Sequence, residues 1–203
     1  INTKNFDGEN ESSLGDNEFM QINRLQSKIL SLYLAVKFST NAYYSNKFED
    51  ALKYLTEVEK MFADMKQLHA LGVVFNNKGE IMRAGVKTIT GADTPNRVAK
   101  LYEEALKAFR LAVANARFLL RTAEQELKEN EGNNEAQRLA ALDRIAYAKR
   151  LGDRLSNMAI CMKSATRYEE ALEVLEESSD VLSSADDMNG LVRVMGNRGL
   201  VFM

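Results

Sequence analysis

Three segments of this chain repeat one helical signature at spacings that leave little freedom to the fold: KFEDALKYLTEV (47–58), LYEEALKAFRLA (101–112) and RYEEALEVLEES (167–178). Each places an aromatic residue ahead of two acidic residues and an Ala-Leu pair, the alanines being Ala51, Ala105 and Ala171. A second text, GVVFNNKGEIM at 72–82, returns as GLVRVMGNRGLVFM at 190–203, with Gly79 opposite Gly199, Asn77 opposite Asn197 and Lys78 opposite Arg198. Twelve positions before Ala51 and Ala171, and twenty-eight after them, stand small residues: Ser39 and Gly79, then Ala159 and Gly199. All four fall on one ruler of about 40 residues with a single mark skipped, a period typical of helical repeats. A unit of that size is one pair of helices that cannot bury its apolar face alone and must stack on its neighbours.

The middle of the chain is enlarged. Gly79 and Ala105 stand further apart than the twelve positions of the register, and AGVKTITGADTPNR (84–97) is the loop-forming text that would hold the excess. Asp93 or Thr94 can cap the helix that follows, with Pro95 suited to its first turn. Ala105 and Ala159 are likewise separated by more than the register's twenty-eight positions. The added text reads as helix on either side of the hinge KENEGNNE (128–135), which predicts two long helices over 97–128 and 135–164.

Composition agrees with an all-α chain. There is one proline, and the text is rich in Ala, Leu, Glu, Lys and Arg, which lose least on entering a helix. Lys+Arg number 27 against 29 Asp+Glu, so no net charge draws the protein to nucleic acid or an anionic membrane. A single cysteine, Cys161, excludes an internal disulfide, and with the lone His69 it cannot assemble a structural zinc site; a reducing, cytoplasmic setting is expected. No apolar run reaches the ~20 residues of a membrane span, so no membrane insertion is expected. Residues 1–18 read as a flexible polar lead-in and 19–203 as the repeat domain, whose uncapped apolar ending marks it as an excerpt truncated at its C-terminus.

The two-helix unit resembles the tetratricopeptide repeat (TPR), whose pattern alternates small and bulky residues at fixed positions. The third unit supplies Leu155, Ala159, Met162, Tyr168, Ala171, Leu175 and Ser178; the second, Gly79, Met82, Tyr102, Ala105, Phe109 and Ala112; the first, Ser39, Ala42, Phe48, Ala51, Leu55 and Val58. The proline that closes the family's second helix is missing throughout. The longer unit, with NKG or NRG in its first helix, is similar to the longer-repeat branch found in the Leu-Gly-Asn polarity adaptors and the kinesin light chains. The resemblance covers residues 21–203 and implies tandem antiparallel helical hairpins, a TPR-like α-solenoid with an enlarged middle hairpin.

That resemblance also implies a use. Its members bind extended peptides on a concave face, to which the residue two before each small position belongs: Lys37, Asn77, Asn157 and Asn197. An asparagine amide there both donates to and accepts from a peptide backbone, although the same side chain can instead bridge neighbouring helices. Arg193, one turn before Asn197, reproduces the R-x-x-x-N spacing that the polarity adaptors use with acidic peptides; the equivalent positions hold Tyr33, Val73 and Asp153. The expected partner is a protein or peptide, with an acidic one favoured by Arg193.

Enzymatic chemistry has no residue set behind it, and no catalytic residue, metal or cofactor is expected. His69 and Cys161 lack partners in sequence, and the adjacent pairs Glu103-Glu104 and Glu169-Glu170 point about 100° apart on a helix, as solvated faces do. No phosphate-binding glycine motif occurs. The function expected is therefore a non-catalytic interaction module. The alternative is a self-assembling (homo-oligomeric) or regulatory domain acting through RFLLRTAEQELKENEGNNEAQRLAALDRIAYAKRL, the long middle hairpin.

Overall fold

The computed structural model describes residues 30, 36–37 and 39–202. The lead-in 1–18 and Tyr33 lie outside them. Among the described residues every regular element is helical. A helical segment over 39–44 precedes α1 (Phe48–Asp64), α2 (Leu68–Gly85), α3 (Thr94–Glu129), α4 (Asn134–Ser164), α5 (Tyr168–Ser183) and α6 (Met188–Val201). Each helix packs on the next, and α2 touches α4 as α4 touches α6, so alternate helices form a continuous row.

Turn geometry carries the period. Asn46, Lys66, Thr166 and Asp186 all adopt the left-handed conformation, with φ of 58°, 52°, 61° and 52°. Each closes the same hydrogen-bonded turn: the amides of Lys47, Gln67, Arg167 and Asp187 donate to the carbonyls of Ala42, Phe62, Met162 and Leu182 over 2.8–3.0 Å. Asn46 and Thr166 stand three whole periods apart, as do Lys66 and Asp186. A glycine would be the usual occupant of such a helix end. Its absence is why these ends cannot be read directly from composition.

The long middle helices exist: α3 begins three residues earlier than expected, and each helix runs one residue further into the loop between them. α3 spans Thr94–Glu129 and α4 Asn134–Ser164. The inserted text is only partly loop: α2 continues to Gly85, Val86–Thr88 form a 3-10 turn, and α3 takes up residues from Thr94. Pro95 sits in the first turn of α3, but neither Asp93 nor Thr94 caps it through a side chain. The Asp93 carboxylate accepts from Asn96 Nδ2 at 2.7 Å, and Thr94 Oγ1 donates back to the Gly91 carbonyl at 2.6 Å. At the other hinge Asn133 does cap α4, accepting from the Ala136 amide at 3.4 Å, while Gly132 takes φ +91°.

The core follows the repeated small residues. Ala51, Ala105 and Ala171 are fully buried. One cluster joins Ala51, Leu55 and Val58 to Val74 and Ile81; a larger one runs from Phe109 through Leu155, Ala159 and Met162 to Leu175 and Leu182. Close approach explains the glycines: a Cβ on Gly79 would lie 2.8 Å from the Phe109 ring, and one on Gly152 would run into the Leu182 side chain. Helix axes can come this near only where a side chain is missing.

Candidate functional site

The row of alternate helices α2, α4 and α6 presents one face on which three of the sequence-predicted residues meet. Asn157 on α4 and Arg193 and Asn197 on α6 line a hollow of about 360 Å³, together with Asp153, Ser156 and Ile160. Two i, i+4 pairs on neighbouring helices build it, Asp153 with Asn157 and Arg193 with Asn197. That spacing sets both members of a pair on one helix face, and the repeat register brings the two pairs side by side.

Its charges are already matched. The Arg193 guanidinium donates to Asp153 Oδ1 at 2.5 Å, joining α6 to α4. Burial pushes the Asp153 carboxyl above its ordinary pKa; Arg193 pulls it down, and Asp187 adds to the rise. Arg193 is therefore one half of an ion pair, and an acidic ligand has to compete with Asp153 for it. In sequence, Asp153 stands out only as a position lacking arginine.

Asn157 is half-buried and does bridge helices: its Nδ2 donates to Asn76 Oδ1 on α2 at 3.1 Å. An amide used once retains its carbonyl oxygen and second N–H for other partners. Below it, Ser178 on α5 donates to the Gly152 carbonyl at 2.8 Å, so the hydroxyl of Ser156, 3.1 Å away, is the donor to Ser178. This buried chain fixes the hollow's floor to the next helix layer. Asn76 is missing from the sequence-predicted set, which takes only Asn77 from the same NN pair; nothing in its own spacing distinguishes it.

Asn77 lies in a separate, smaller hollow of about 210 Å³ with Ser39, Tyr43, Tyr44, Glu80 and Ile81. Lys37 is exposed near the start of the described chain. The expected groove residues thus divide: Asn157, Arg193 and Asn197 share a hollow, Asn77 lines another, and Lys37 lines neither.

The residues that the sequence offers for catalysis lie outside the hollow of Asn157. Cys161 is buried and its thiol is pushed up to about 12. It stays protonated at neutral pH, unsuited to nucleophilic attack. His69 lies at the start of α2, its ring 6.4 Å from that of Tyr147; partial burial, then Arg150 and Arg154, lower its pKa. Glu103 and Glu170 of the acidic pairs both serve Arg167. Among the described residues no three metal-ligating side chains gather, and no helix is long and apolar enough to cross a membrane.

Arg154 is a charged side chain held inside the helix stack. It is only 5% exposed, donates through Nη1 to the Ala112 carbonyl (3.0 Å) and to Asn115 Oδ1 (3.2 Å), and occupies the space a Cβ on Gly72 would need. Burial, helped by Arg150, lowers its pKa to about 10, so it remains charged at neutral pH. Its role is to tie α4 to α3 and, through Asn115 and the Leu68 carbonyl, to α2.

No known protein-family model matches the chain, and no curated protein matches it significantly.

Proposed function

We propose that this chain is a TPR-like array of helical hairpins whose row of alternate helices forms a groove for an extended segment of a protein partner, with no catalytic step. The observation that carries this reading is the convergence of Asn157, Arg193 and Asn197, from two helices, on one open hollow. Amides and a guanidinium at that spacing suit an extended backbone, which offers an N–H and a carbonyl at each residue. The Asp153–Arg193 pair refines the expected partner. A segment with an acidic residue for Arg193 and a basic one for Asp153 satisfies both charges, whereas a purely acidic segment leaves Asp153 opposed.

The test is selection of peptides from a random displayed library on the immobilised chain, followed by solution titration. Peptides that bind the wild type and weaken at least about tenfold, or ~1.4 kcal/mol, on an Asn157→Ala/Arg193→Glu/Asn197→Ala variant of unchanged helicity support the groove. Selected peptides that bind both proteins equally refute it.

A second reading has its own observation. Phe118 on α3 and Leu139 and Leu142 on α4 are more than half exposed on the long middle hairpin, a surface suited to self-association or to a regulatory contact. Sedimentation at several protein concentrations separates it from the groove reading: a mass that rises with concentration and reverts on Leu139→Glu/Leu142→Glu favours the hairpin.

A further inference from the structure

Helices α2 and α4 are neighbours in the row, and one offset relates the residues that face each other across their seam. Asn157 Nδ2 donates to Asn76 Oδ1 at 3.1 Å, two residues 81 positions apart. The same offset pairs His69 with Arg150, and i, i+7 spacing keeps each on the helix face that carries the asparagine. The helices meet here too: the His69 ring stands 6.4 Å from that of Tyr147, and the Arg150 guanidinium lies over the Tyr147 ring at 5.3 Å. The seam thus has an amide rung and, two turns nearer the start of both helices, a cationic and aromatic one.

That second rung holds charge that nothing answers. Lys78, Arg117 and Arg193 join helices through Glu59, Glu177 and Asp153. Arg154, buried against Gly72, has no such acid and donates only to neutral acceptors, the Ala112 carbonyl and Asn115 Oδ1. Arg150, one turn earlier, makes no ion pair among the described residues. The nearest acids along α4 do not serve it: Asp153 is held by Arg193, and Asp143 lies about two turns away. Helix α2 adds to the imbalance, since its first turn has no acidic residue and no side-chain cap, which leaves the positive end of its dipole beside His69.

Taking a cation from water without a counter-ion is costly. Burial and then Arg150 lower the pKa of Arg154, and burial, Arg150 and Arg154 lower that of His69. Both shifts have the sign of a positive site that lacks an anion.

We propose that His69, Tyr147 and Arg150 form an anchor for an anionic side chain, carboxylate or phosphate, of the partner segment held in the groove. The proposal rests on that groove and adds to it: an acid that must compete with Asp153 for Arg193 finds an uncontested place one seam away. The planar guanidinium of Arg150 offers the paired N–H donors that carboxylates and phosphates match. His69 supplies a ring N–H, and Arg154 acts from behind Gly72 through its charge. Along α4 the anchor stands ~10 Å from Asn157. An extended segment, at ~3.3 Å per residue, therefore carries its acidic residue about three positions from the one beside Asn157.

His69 is the only histidine of the chain, so its imidazole resonance needs no assignment. The probes are an acetylated, amidated triglutamate peptide and a phosphoserine tripeptide blocked in the same way, each titrated into the full chain with chloride at equal ionic strength as the control. Saturable movement of the His69 resonance toward the imidazolium position is expected, because an anion favours the charged ring, and the tighter probe names the anion. Arg150→Gln, its helicity checked by circular dichroism, should weaken binding at least about tenfold (~1.4 kcal/mol). Asn197→Ala should leave it unchanged, which keeps failure of the anchor separable from failure of the groove. The proposal is overturned by movement no greater than chloride produces, or by equal binding to Arg150→Gln. It is also overturned by binding that appears only after Asp7→Asn, Glu9→Gln and Glu11→Gln, which would make the acidic lead-in of this chain the occupant.

Discussion

Gly79 and Gly199 occupy the same place in the repeated pattern and meet opposite surroundings. At Gly79 the Phe109 ring of α3 stands where a side chain would begin; at Gly199 there is open space. Local text is nearly the same, NKG against NRG. The difference lies wholly in what comes next: Gly79 has a helix laid over it, and Gly199 has none among the described residues. A glycine-centred helix of this kind thus encodes a close approach, and the cost of the glycine is offset only where the neighbour is present.

Removing the neighbour should have the largest effect. Phe109→Ala empties a fully buried site in the main core and is expected to cost ~3–5 kcal/mol, read from urea denaturation by circular dichroism. Gly79→Ala should cost ~1–3 kcal/mol, because a Cβ would press on a ring held on all sides. The two changes should couple: in the Phe109→Ala background the Gly79→Ala cost should vanish or reverse, a cycle that removes the comparison's physical basis if the costs simply add.

At the other glycine the sign should invert. Gly199→Ala is expected to stabilise the chain by ~0.5–1 kcal/mol, since the backbone gains helix propensity and nothing is displaced. A destabilised Gly199→Ala would show that the surroundings of the two glycines are more alike than their geometry.

The smallest effect concerns the start of the glycine helix, at His69. Partial burial, Arg150 and Arg154 lower its pKa from the ordinary 6.5. The unfolded chain therefore binds a proton more readily there than the folded one, so stability is undiminished above pH 6.5 and declines as pH falls through the window below it. His69→Gln should lose less melting temperature than the wild type between pH 7.5 and pH 5.5; equal losses would remove the assignment.

Much of this is legible in sequence because it rests on small residues. Ala51, Ala105, Ala171 and Ala159 announce the helix crossings by their spacing, and all are buried. The left-handed turns are not legible, since Asn46, Lys66, Thr166 and Asp186 share no residue type and are recognised only by the hydrogen bonds around them. Nor can spacing show that Arg154 is buried, because the space it fills is created by Gly72 on a different helix. At the hollow, the register brings Asn157, Arg193 and Asn197 together. It does not show that Asp153, one period before Arg193, neutralises it: a missing arginine in one unit becomes the counter-ion of the next.

The groove reading is tested most directly by placing a photo-crosslinking amino acid at Ile160 in the hollow and, separately, at Leu142 on the long middle hairpin, then irradiating each protein in cell extract. The account predicts a discrete adduct from position 160 that is lost when Asn157→Ala, Arg193→Glu and Asn197→Ala are added, and no equivalent adduct from position 142. An adduct formed only from position 142, or one at 160 that survives those three changes, would contradict it.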